Sequence, residues 1–145
     1  MPLSETQWEE LYKLLDPNQP ADWNAWGDQA DLVWNTWPHR DLVTVAHSIL
    51  AGVAYDHIHD WHPSDAVIDQ GIDTVLGRLR PWVQVEEQDV RQTMRAVLGH
   101  LDAREGMSLN ALAVGYLLSA RALLPDYADW RAPLDAVKKA LEATA

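Results

Sequence analysis

The chain has 145 residues, 48% of them apolar, with eight tryptophans, no phenylalanine and no cysteine. That length and apolar content suit one self-supporting core, and the missing thiols exclude disulfides, thiolate zinc sites, iron–sulfur ligation and cysteine nucleophiles. A formal charge of −11 argues against nucleic acid as a direct ligand, because phosphate binding needs clustered Lys and Arg.

The charge is unevenly spread. Residues 1–77 hold 13 Asp and Glu against only Lys13 and Arg40, whereas residues 78–145 hold nine of each sign. Such asymmetry points to a surface that meets a partner. The N-terminal MPLSETQWEELYKLLD lacks the basic and apolar regions of a signal peptide. No apolar run approaches the roughly 20 residues of a membrane span. A cytosolic protein with no membrane contact is the expectation.

Helical period dominates the chain. Ser4 and Gln7 form a capping box that opens a first helix with Trp8, Leu11, Tyr12 and Leu15 on one side. After the turn DPNQP, the segment DWNAWGDQADLVWNTW repeats a W-N-x-W pattern eleven residues apart, three helical turns to within about 20°. Trp23, Trp26, Ala30, Val33, Trp34 and Trp37 therefore form one apolar stripe, with Gly27 its weak point. Pro38 separates this helix from a third, at 39–61, whose apolar positions run from Leu42 to Trp61 at i, i+3, i+4 spacing.

Pro63 ends the third helix and Ser64 caps a fourth, with Ile68, Ile72, Val75, Leu76 and Leu79 inward and Asp65, Asp69 and Asp73 outward. A fifth helix spans 86–105, with Val90, Met94, Val97, Leu98 and Leu101 inward and Gly106 past its end. Ser108 caps SLNALAVGYLLSARALL, apolar nearly all round and so the central helix, stopped by Pro125. A last helix covers 129–143, with Pro133 in its first turn. The pattern predicts an all-α fold: one domain over 1–145, a bundle of six to seven helices around the apolar helix at about 108–124.

The most conspicuous polar cluster is YDHIHDWH at 55–62. At 100° per residue on the third helix, His57 lies mid-stripe with Asp56 and Asp60 flanking it, while Tyr55, His59 and His62 point the opposite way. Asp56 and Asp60 could hold a divalent cation, as carboxylates four apart do in helical metal-dependent hydrolases. His59 and His62 could supply half of a zinc or nickel site. Both sets need ligands from another helix, and no HExxH, ExxH or ExxE motif supplies them. The plainer reading is a core histidine with solvated neighbours.

Arg95 and His100 in RAVLGH match the loose Arg-x4-His spacing of HEPN-type helical ribonucleases, with Ala96 where a polar residue is usual. This resemblance implies a ribonuclease acting through those two residues. Against it stand the acidic surface and the ordinary amphipathic neighbourhood of His100.

The leading expectation is a small interaction protein that occludes a basic protein partner, in the manner of an immunity protein, antitoxin or phage-type inhibitor. Asp65, Asp69 and Asp73 would steer association, and Trp23, Trp26, Trp34 and Trp37 would divide between core and contact surface. Glu86, Glu87 and Asp89, in the charge-balanced half, are expected to matter less. No cofactor is implied, and a homodimer stays open. The alternatives are a metal-dependent hydrolase using Asp56 and Asp60 with His57, His59 or His62, and a ribonuclease using Arg95 and His100.

Overall fold

Side-chain caps set four of the helix starts. In a computed structural model that describes residues 3–124 and 129–143, α1 (Glu5–Leu15) opens with a reciprocal capping box. Ser4 Oγ accepts from the Gln7 N–H at 3.1 Å, and Gln7 Oε1 accepts from the Ser4 N–H at 3.0 Å. The Asp22 carboxylate accepts from Asn24 and Ala25 at the start of α2 (Trp23–Thr36). Ser64 caps α4 (Asp65–Leu79) and Ser108 caps α6 (Leu109–Leu123). Each such cap is worth about 1 kcal/mol. Between them lie α3 (His39–Ile58) and α5 (Glu87–Val97), and α7 (Ala132–Ala143) closes the chain.

The described residues contain seven α-helices, one 3-10 turn at Leu101–Arg104 and no strand. As its composition predicts, α6 is the central helix, with 11 of its 15 residues buried. It packs chiefly on α3 and α5, and also meets α1 and α4, while α7 covers α3 and α2 pairs with α1. Two glycines permit close approach. A Cβ at Gly115 of α6 would lie 2.6 Å from Thr93 Cγ2 on α5, and one at Gly52 of α3 would collide with Val137 on α7. No helix among the described residues is long and apolar enough to cross a membrane.

Two helices end earlier than their apolar periodicity predicts. The third stops at Ile58, because His59 takes the left-handed conformation (φ 60°, ψ 32°). The Asp60 carboxylate then accepts from the His62 N–H at 2.8 Å, a turn that leads into Pro63. The residue before a proline is disfavoured in helix, so the chain unwinds ahead of it. Trp61, expected inward, is 59% exposed and lies flat on Tyr55, ring centroids 4.1 Å apart.

The fifth helix stops at Val97 rather than running to 105. Gly99 adopts φ +103°, and the N–H groups of Leu98 and His100 both donate to the Arg95 carbonyl. This glycine-centred closure is what helix C-termini favour. Leu101, also expected inward, consequently sits 56% exposed in the 3-10 turn. The last helix begins at Ala132, with Pro133 in its first turn as expected. The stop assigned to Pro125 lies outside the described residues.

Candidate functional site

The early end of α3 dissolves the YDHIHDWH cluster. Asp56 and His57 stay on the last turn of the helix, His59 is its C-cap, and Asp60 and His62 belong to the following turn. Asp56 and Asp60 therefore do not share a helical face. All five side chains are exposed, and His57 is not in the core. It borders a shallow recess with Ile58, Val67, Gln70 and Thr74, none of them a carboxylate. Among the described residues no three His, Asp or Glu side chains are grouped to hold a metal ion.

The histidine that packs inside is His47. Its ring meets Tyr116 of α6 edge to face at 5.2 Å, and its Nε2 is buried without a hydrogen-bond partner. Burial lowers its pKa from the ordinary histidine value, and the positive charge of Arg104 adds to that.

Arg95 and His100 do come together, and they meet part of the aspartate row. Arg95 Nη2 lies 3.7 Å from Asp69 Oδ1, and His100 Nε2 lies 3.6 Å from Asp65 Oδ1. These four side chains, with Ile68, Asp102 and Ala103, line a cavity of about 420 Å3. Two separate sequence candidates thus form one exposed cluster. Its three carboxylates outnumber its bases, so it does not offer the positive field that a phosphodiester requires. Exposed pairs of this kind contribute about 0–1 kcal/mol. Of the aspartate row, only Asp73 makes no ion pair among the described residues.

The tryptophan stripe divides into two ranks. Trp26 and Trp37 are buried, with their indole N–H groups satisfied inside the protein: Trp26 donates to the Leu14 carbonyl at 2.9 Å and Trp37 to Glu10 Oε2 at 3.1 Å. Both anchor α2 on α1. Trp23 and Trp34 are only partly buried, and neither indole N–H has a protein partner among the described residues. Trp23 stacks on Trp26 at 5.7 Å, and Trp34 stacks on His39 at 3.5 Å.

Trp23, Trp34 and the buried Trp26 help to line a cavity of about 610 Å3 between α2, the start of α5 and the start of α6. Buried Leu14, Leu42, Val90 and Leu117 contribute to its apolar lining. Asp31 from α2, Glu86 at the N-cap of α5 and Asp89 in its first turn add three carboxylates. No Lys, Arg or His lines the groove, and none of the three acids is ion-paired among the described residues. The helix starts of α5 and α6 offset about one unit of negative charge between them, so three carboxylates leave the groove negative. Glu86 and Asp89, expected to matter little, share a cavity with tryptophans of the acidic half. Sequence separation hid this, since residues of α2 and α5 come to line one cavity only in the folded chain.

Comparisons of the chain with models of protein families, with curated proteins and with solved structures find no match.

Proposed function

We propose that the protein is a binding module for a basic protein partner, which inserts a lysine or arginine side chain into the groove of α2, α5 and α6. One observation carries this reading: among the described residues, two partly buried indoles with unpartnered N–H groups share a cavity with three unpaired carboxylates and no cation. A cationic head with an aliphatic or planar stem matches both features. Its charge meets Asp31, Glu86 and Asp89, and its stem lies against the faces of Trp23 and Trp34, where cation–π attraction adds to burial. The net charge of −11 would speed encounter with such a partner. A module of this kind acts by occlusion, which is how an immunity protein, antitoxin or phage-type inhibitor works.

A short oligolysine peptide tests the location of the site. Neutralising the groove with Asp31→Asn, Glu86→Gln and Asp89→Asn should weaken its binding at least tenfold, about 1.4 kcal/mol. The same change at Asp65, Asp69 and Asp73 removes as many charges and should have a clearly smaller effect. Equal losses from both triple variants, measured calorimetrically at fixed salt, would show that the groove is not the site.

A further inference from the structure

The acidic chain keeps one cavity for the opposite charge. Arg121, in the last turn of α6, is 7% exposed, yet no carboxylate lies within ion-pairing distance of it among the described residues. Its Nη2 donates to the Gln19 carbonyl at 2.9 Å, and its guanidinium lies 4.6 Å from the centroid of the Trp82 ring. Among the described residues no other hydrogen bond or ion pair holds this guanidinium, and it lines a cavity beside Trp82. Burial lowers the pKa of this guanidinium from its ordinary value, with the Asp16 carboxylate acting in the other direction.

Arg78, in the last turn of α4, faces the same cavity and donates through Nη1 to the Ala122 carbonyl. Pro17, Pro81 and Trp82 contribute apolar walls, and among the described residues no acidic one lines the space of about 420 Å3. Tying down one carbonyl each uses a single donor of the five that a guanidinium carries. The C-termini of α4 and α6 offset about one positive charge between them, and Asp16 acts on Arg121 from outside the lining, which itself carries two guanidiniums and no described acid.

We propose that this cavity is a binding site for a small oxyanion, a phosphate or carboxylate group held between the guanidiniums of Arg78 and Arg121 beside the indole of Trp82. Paired guanidinium forks match the oxygen geometry of either group. The site does not depend on the acidic groove and would stand if that reading failed.

The test is an NMR titration of the Trp82 indole N–H resonance with inorganic phosphate and, separately, with acetate, each against sodium chloride at constant ionic strength. A saturable shift with either oxyanion, weakened at least tenfold by Arg78→Gln, is the expected result. Arg78 is exposed, so this variant should keep the far-ultraviolet circular dichroism of the parent. No saturable shift beyond that of chloride would overturn the proposal, as would affinity within twofold of wild type in Arg78→Gln. Arg121→Lys, which keeps the charge but loses the fork, gives the same decision if Arg78→Gln does not fold: at least tenfold weakening supports the site, and affinity within twofold of wild type refutes it.

Discussion

The two cavities meet at a pair of indoles and carry opposite charge. Trp23, in the acidic groove, contacts Trp82, in the basic cavity, edge to face at 6.4 Å. Their signs follow from which helix ends line them. The groove gathers the N-terminal ends of α5 and α6, where Glu86, Asp89 and the Ser108 cap suit the helix dipole. The basic cavity gathers the C-terminal ends of α4 and α6, where Arg78 and Arg121 suit it. Helix polarity thus accounts for the sign of each lining but not for its excess. In both cavities the formal charges of the described lining residues exceed what two helix ends can offset.

The tryptophans beside the groove should differ most in what they contribute to stability. Trp26→Ala should cost about 3–5 kcal/mol in urea melts, because it empties a buried site and removes the bond to the Leu14 carbonyl. Trp34→Ala, on the outer rank, should cost only about 1–2 kcal/mol, since its burial is partial. Equal costs would mean that the two ranks are one core, and the groove would lose its distinct wall.

This division was already present in the sequence. An eleven-residue repeat returns almost to the same angle, so Trp23 and Trp34 form one rank and Trp26 and Trp37 another, about 60° away. Read as a single stripe, the four residues hide it. The caps, the apolar faces of α1 and α4 and the central place of α6 were equally legible, since each is a local pattern.

The ends of α3 and α5 were not. Apolar spacing continues through Trp61 and Leu101, while local turn chemistry at His59–Asp60 and Gly99 stops the helices first. The groove was illegible for a different reason. Asp31, Glu86 and Asp89 lie on elements far apart in sequence, and no local pattern reports their convergence.

A smaller effect concerns pH. α6 lines both cavities, and His47 packs on its Tyr116. The folded pKa of His47 lies below the ordinary value of 6.5, so in that window the unfolded chain binds the proton first. Its contribution to stability is complete above about pH 6.5 and is lost as the pH falls toward the depressed folded pKa. His47→Leu should remove this component. Comparing urea midpoints at neutral and mildly acidic pH, wild type should lose more stability than the variant. A parallel loss in both proteins would show that His47 titrates freely when folded.

If the groove takes a cationic side chain, Trp23 and Trp34 should sense it and Trp37, outside the groove, should not. One NMR titration with a short oligolysine peptide, following all indole N–H resonances, separates them. Saturable shifts are expected at Trp23 and Trp34, with Trp37 nearly still and the response weakening as salt rises. Shifts confined to Trp61 and other indoles remote from the groove, or no shift at Trp23 and Trp34 at saturation, would contradict the groove as the site.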